Sequence, residues 1–398
     1  ITFMWGVGHV SYVDRTALES TQCTADMLVA NREALTEAGI SNDHPVLGPT
    51  TSTIPLVYIR NVLSQVPPGT VDGVSIHPYR PGRGSPEDTG YPQELDELNA
   101  ILRDSGMPDG QVWATESGWI GYTLPLEQHS DEALAAASIH LEGPTESEAA
   151  NYIIRGFVIG LTRGLDKQFY FLWEDTHGDR PEAFLGLCLN DGLFSPKLPL
   201  LSISGLMARL NGAEFERTIF ERSPYYAYQF KRGDMKQIVT WTAHGRQSVR
   251  VECSSTEAAR WDRFGRPLEW QEEITLTEEP IFLECPADAK LTLTPVIELP
   301  QSPVVLRQDR PVKISLPLDA IAPASIGDLV SGSEERGLWP ISIQSWQVSG
   351  DNLELVVSPA RQDASGYGFS ELIIETVEGP RYVCLPVKFT SNGLEDSS

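Results

Sequence analysis

At 398 residues the chain is longer than one average domain, so two or three domains are expected. Its 41% hydrophobic and 21% charged residues are ordinary for a globular protein, and no apolar run approaches the roughly 18 residues of a membrane helix. With 30 Lys and Arg against 55 Asp and Glu the net charge is −25, which argues against nucleic acid and against an anionic membrane surface as partners.

Residues 1–10 (ITFMWGVGHV) predict a strand running into a Gly-rich turn. There is no initiator Met, and the expectation is that Ile1 marks a processing or fragment boundary. Over 24–38 the apolar positions Met27, Leu28, Leu35 and Ala38 predict a helix that Gly39 closes. A short strand over 44–49 follows, then a helix over 54–66 ended by Pro67, Pro68 and Gly69. Residues 71–79 (VDGVSIHPY) predict a strand that sets His77 and Tyr79 two apart, on one face.

A Gly- and Pro-rich loop over 80–92 leads to a helix over 93–104. Residues 111–119 (QVWATESGW) then form an apolar strand that ends in Thr115 and Glu116, with a turn at Ser117 and Gly118. A long acidic loop over 120–143 holds Asp131, Glu132 and His140, all expected at the surface. Thr145 and Glu148 make a capping box for a helix reaching Leu161, with Gly164 just past its end. An apolar strand over 167–173 (KQFYFLW) is followed by Glu174 and Asp175, expected as a solvated rim pair. Ser195, Pro196 and Lys197 open a last helix to Leu210.

Four βα units therefore alternate between residues 44 and 212, which predicts a parallel sheet with helices outside. His77, Tyr79, Glu116, Trp173 and Glu174 fall at the C-terminal ends of its strands. Those ends are the catalytic rim of a TIM barrel or the binding crevice of an open α/β sheet. No strand is followed by GxGxxG or GxxxxGK[ST], so no nucleotide cofactor is expected. The five cysteines are scattered without CxxC spacing and read as buried free thiols. No metal is expected either, since His129, His140 and His177 fit no ligand signature.

After residue 213 the pattern becomes one of short alternating strands with Gly and Pro turns, as in a β-sandwich. Residues 287–303, with Pro295, Pro300 and Pro303, read as a connection. The expected domains are 1–213, half of a TIM-barrel catalytic domain; 214–290, an antiparallel β domain packed on it; and 291–398, an Ig-like β-sandwich.

The pieces HPVLGPT, VDGVSIHPYR, VWATESGWI, ESEAANYIIRGFVIGLTRG, QFYFLWED and FLGLCLNDGLFSPK, then WDRFGRP and PIFLE, occur in this order. Together they resemble the retaining TIM-barrel glycoside hydrolases that carry two glutamates, on strands four and seven, and within that clan the β-xylosidase and endoglycosidase-like families. The resemblance implies that Glu116 is the strand-seven nucleophile. It implies that His77 and Tyr79 on strand six line the sugar site and orient that nucleophile, and that Trp173 on strand eight is a platform under the sugar ring. Trp119 and Glu174 are placed near the rim as further substrate contacts, and the partner is an oligosaccharide or polysaccharide.

The chemistry of these residue types agrees. Displacement at an anomeric carbon needs a carboxylate held ionised by hydrogen-bond donors, which His77 and Tyr79 supply. Retention needs a second carboxyl about 5–5.5 Å away as acid and base, which the clan provides as an Asn-Glu pair ending strand four. No Asn-Glu occurs before residue 45. The expectation is a chain covering about strands four or five to eight, catalytically incomplete as given; His9 reads as a loop histidine and is the first suspect should another group replace the acid. The alternatives are a non-catalytic carbohydrate-binding or scaffold protein with a degenerate sugar cleft, and an unrelated open α/β sheet. In the last, His77, Glu116 and Trp173 would not converge.

Overall fold

The structure, a computed structural model, describes residues 17–80, 84–121, 144–176, 184–300, 302–307, 310–318, 321, 325–332, 338–360 and 366–390. The chain divides into two compact units, 1–203 and 204–398.

The first unit holds a parallel sheet of β1 (Leu47–Thr51), β2 (Gly73–Ile76), β3 (Gln111–Ser117) and β4 (Lys167–Tyr170), paired in that order. Helices alternate with the strands: α1 (Ala17–Glu37), α2 (Leu56–Leu63), α3 (Tyr91–Asp104), α4 (Glu146–Thr162) and α5 (Leu198–Leu210), the last crossing the divide between the units. The predicted βα alternation is thus what the chain forms. Leu95, Leu98 and Leu102 line one face of α3 at helical spacing and are buried. α4 opens with the predicted capping box: Glu148 N–H donates to Thr145 Oγ1 at 3.2 Å, and Thr145 N–H to Glu148 Oε2 at 2.7 Å. Gly164 follows it at φ 75°, a left-handed position that favours glycine.

Two strand pairs are fastened alike at their N-terminal ends. Asp72, just before β2, accepts from Val46 N–H on its carboxylate (2.7 Å) while its own N–H donates to Val46 O (2.8 Å). Asp166, just before β4, grips Val112 in the same way, at 2.8 and 2.9 Å. Arg32 from α1 bonds the Asp72 carboxylate and the Thr70 carbonyl.

β4 departs from expectation. The 167–173 run reads as an apolar strand reaching Trp173, but the strand ends at Tyr170; Phe169 is 47% exposed, and Trp173, expected as a platform, is 58% exposed. The reason is position: among the described residues β4 has β3 as its single strand neighbour, and the ring of Trp113 on β3 carries the Lys167 ammonium 4.0 Å from its centroid.

Past the end of α5 the second unit is all β among the described residues, as the alternation after residue 213 predicts. A six-stranded and a three-stranded antiparallel sheet take up residues 214–295, and a four-stranded and a three-stranded sheet follow over 304–390. The stretch expected as a plain connection contains a strand, Leu291–Pro295, that pairs with Gln247–Cys253. Its prolines did not forbid it, since Pro286 ends one strand and Pro295 ends this one. The three-part division with a boundary at 290/291 is finer than the observed two units, and that boundary crosses a continuous apolar core that includes Val249, Ile274, Leu306, Leu355 and Leu385. Polar ties cross it too. Arg246 bonds the buried Glu371 carboxylate at 3.0 and 2.6 Å, Tyr382 N–H donates to Ser248 Oγ at 3.1 Å, and His244 stacks on Phe369 at 4.3 Å.

Candidate active site

Glu116 stands at the C-terminal end of β3, with two side chains against one of its oxygens. The Tyr79 hydroxyl lies 2.9 Å from Glu116 Oε2, and His77 Nδ1 lies 3.3 Å from the same atom. The expected strand over 71–79 would bring His77 and Tyr79 to one face by alternation, but β2 ends at Ile76. What aligns them is a three-residue turn centred on Pro78, closed by Tyr79 N–H to His77 O at 2.7 Å. His77 N–H is itself anchored to Thr51 O at the end of β1, at 2.8 Å.

His77 also touches Thr115, whose Oγ1 is 3.0 Å from Nε2. Neighbouring strand residues ordinarily point to opposite faces. Here β3 carries one residue more than β4 between the pairs Ala114 with Gln168 and Ser117 with Tyr170. That bulge breaks the alternation and turns both Thr115 and Glu116 toward His77. Thr115 Oγ1 in turn lies 2.7 Å from Ser75 Oγ on β2.

His77 is held below the ordinary histidine range chiefly because burial strips water from its charged form; the Glu116 carboxylate pulls the other way without reversing it. A neutral imidazole beside the carboxylate is therefore a better description of the His77–Glu116 contact than an ion pair.

The β4 end is tied to this site through Phe171 N–H, which donates to Ser117 O at 2.8 Å. Two residues on, Trp173 keeps its indole exposed while its carbonyl accepts from Leu187 and Cys188 N–H at 3.1 and 3.0 Å. Glu174 is half-buried beside it, bridged through its backbone to Cys188.

Two expectations are corrected. Asp175 is not part of a solvated pair: it is buried and bound by Lys197 Nζ at 3.0 Å to each oxygen, with Gly186 N–H donating at 2.9 Å. Burial raises the Asp175 pKa, and Lys197 only partly offsets this. Nor does Trp119 offer a face to a substrate. It is 6% exposed and lies against Gly156 of α4, where an added Cβ would come within 2.3 Å of its ring. That displacement from the rim has a trace in the sequence, since a glycine inside an apolar helix marks close approach of something large.

Sequence reasoning also missed Ser75 and Thr115, and a fully buried ion pair between Arg155 of α4 and Glu87 of the loop after β2 (Nε to Oε1 3.0 Å). His9, His129, Asp131, Glu132, His140 and His177 lie outside the described residues. Among the described residues no helix is long and apolar enough to cross a membrane.

No protein-family model and no curated protein matches the chain. Solved structures similar to it include a family 39 glycoside hydrolase from the gut symbiont Bacteroides cellulosilyticus WH2, at 20% identity over 57% of this chain and 46% of that one, with a TM-score of 0.43. A family 30 endoxylanase from Clostridium papyrosolvens C71 is similar at 9% identity over 67% and 61%, with a TM-score of 0.42. A family 86 β-porphyranase from the human gut bacterium Bacteroides plebeius is similar at 11% identity over 94% and 74%, with a TM-score of 0.43. The chain spans less than two thirds of the length of the first two, and the structural neighbours named here are glycoside hydrolases.

Proposed function

We propose that this chain carries the nucleophile side of a retaining glycosidase, with Glu116 attacking the anomeric carbon of an oligosaccharide or polysaccharide. The observation that carries the reading is the convergence of the Tyr79 hydroxyl and the His77 imidazole on Glu116 Oε2, at 2.9 and 3.3 Å. Contacts on one oxygen fix the plane of the carboxylate, and Oε1 is then the atom that bonds to carbon. Trp173, exposed at the end of β4, supplies an apolar face for a pyranose ring. The four-stranded sheet is on this reading part of a (β/α)8 barrel, with the site at the C-terminal ends of its strands.

Retention also requires a carboxyl that protonates the leaving oxygen and later activates water. The 398 residues contain no Asn-Glu pair, so on this reading the chain alone handles substrates according to their leaving group. Activated aryl glycosides and glycosyl fluorides need little protonation and load Glu116. Natural oligosaccharides must expel an unprotonated alkoxide, and loss of general acid help costs them about 10²–10⁴-fold. Water attack without a general base is slow, so the glycosyl-enzyme accumulates and azide speeds turnover.

The test compares both substrate kinds for the wild type and for Glu116→Gln. Burst kinetics on the activated substrate, absent in Glu116→Gln, support the reading. Turnover that survives Glu116→Gln would overturn it, and saccharide binding with no burst in the wild type would favour a non-catalytic carbohydrate-binding protein.

A further inference from the structure

The contacts of Glu116 account for one side of the His77 ring. The other side meets a pair of hydroxyls. Ser75 stands opposite Trp113 in the β2–β3 pairing, so Thr115, two residues on from Trp113, shares the face of Ser75 and His77, while the bulge against β4 lets Glu116 turn to the same side. Ser75 is 3% exposed and His77 7%, with Thr115 half-buried between them.

We propose that Ser75 and Thr115 are positioning residues that act on Glu116 through His77, by keeping the imidazole proton on Nδ1 and aimed at the carboxylate. This deepens, and rests on, the reading of Glu116 as the reacting group. The argument is one of donor and acceptor counting. A neutral imidazole has one N–H. With Nδ1–H donating to Glu116 Oε2, Nε2 is an acceptor and must receive the Thr115 hydroxyl proton. Thr115 has no second proton, so its oxygen accepts from Ser75. Each link depends on the one before it, and the direction runs from Ser75 to the carboxylate. Reversing it puts the proton on Nε2, leaves Nδ1 with a lone pair facing the carboxylate at 3.3 Å, and removes one of the two donors to Oε2. Imidazolium would satisfy both neighbours, at the cost of a charge in a site from which water is largely excluded.

The arrangement also explains why a threonine precedes the glutamate in this fold. Serine could donate the same proton, but the β-branched side chain restricts χ1 and so fixes where the hydroxyl points.

The experiment reads the imidazole nitrogens directly. With 15N-labelled histidine at neutral pH, the His77 signals are assigned by their loss in His77→Gln. The expected wild-type pattern is a protonated Nδ1 and an unprotonated Nε2. Thr115→Val and Ser75→Ala are expected to give a mixture of the two neutral forms, whereas Thr115→Ser keeps the wild-type pattern. On an activated glycoside the first two variants are expected to lower the burst rate constant by about tenfold, the worth of one oriented hydrogen bond, with the burst amplitude little changed. A wild-type His77 protonated on Nε2 or on both nitrogens would overturn the proposal, as would an unchanged pattern in both Thr115→Val and Ser75→Ala. Having two variants keeps the test decisive if one does not fold. If the nitrogen patterns follow expectation while no variant or wild type turns over any glycoside, the positioning role stands and the glycosidase reading falls.

Discussion

Lys197 places its ammonium 3.0 Å from both oxygens of the Asp175 carboxylate, and both side chains are buried. The same ammonium reaches the Phe184 carbonyl at 3.2 Å, so a single lysine ties the end of β4 to the chain that returns toward α5. Lys197→Met leaves the carboxylate buried without its counter-charge. The expected loss is about 3–5 kcal/mol, read from the urea midpoint at unchanged m. Adding Asp175→Asn removes the stranded charge and keeps an acceptor for Gly186, so the double variant is expected to be more stable than Lys197→Met alone.

Trp119 and Gly156 make a second test. Ala at position 156 adds a methyl where the indole already sits, and either the ring or α4 must yield. Gly156→Ala is expected to destabilise by about 1–3 kcal/mol. Combined with Trp119→Leu the two effects should fall well short of additive, because the smaller side chain makes room for the methyl. Strict additivity would show that the contact is not what constrains position 156.

The lowered pKa of His77 gives a sign that can be checked. The unfolded chain takes up the proton near pH 6.5, while the folded chain resists until lower pH. Between those two values the unfolded state binds more protons, so stability falls as pH drops through that window and is fully present above it. His77→Gln is expected to show a flatter profile there. An identical slope in wild type and variant would mean that His77 is not the group responsible.

In the second unit Arg246 holds the Glu371 carboxylate, which is 1% exposed, by bonds from Nε and Nη2 and from its own N–H. With the apolar core running unbroken past residue 300, residues 204–398 are expected to melt in one calorimetric transition, and Arg246→Ala to lower that transition as a whole. A separate transition for residues beyond 303, indifferent to Arg246→Ala, would mean that the sandwich folds by itself, with the prolines of 286–303 as its boundary.

How much of this could be read from the sequence differs by element. The βα alternation and the strand ends at His77 and Glu116 follow from apolar periodicity and its punctuation by Gly and Pro, which are local signals. Trp119 and Asp175 misled because burial at a strand end depends on what arrives from elsewhere. Trp119 is covered by a helix some 30 residues on, about eight turns' worth of chain at 3.6 residues per turn, and Asp175 by a lysine brought back by the 184–197 segment. Lysine at the mouth of a helix is ordinarily solvated, so nothing near Lys197 announces its partner. Ser75 and Thr115 were missed for a different reason: inside apolar strands they read as ordinary strand residues, and their contact shows only once the β2–β3 register is known. The edge position of β4 is expected from the strand count, since a barrel with strands missing leaves its last strand without a second neighbour.

The paired grips of Asp72 on Val46 and of Asp166 on Val112 have a consequence for how the sheet is assembled. Each aspartate holds both the amide and the carbonyl of one residue in the preceding strand, so sliding that strand by a single position forfeits both bonds and turns its side chains to the wrong face. β1 with β2, and β3 with β4, each contain their own alignment mark. The sheet is in this respect two self-indexing halves, and an insertion in the helices or loops between strands can lengthen the path from one mark to the next without shifting where the strands come to rest.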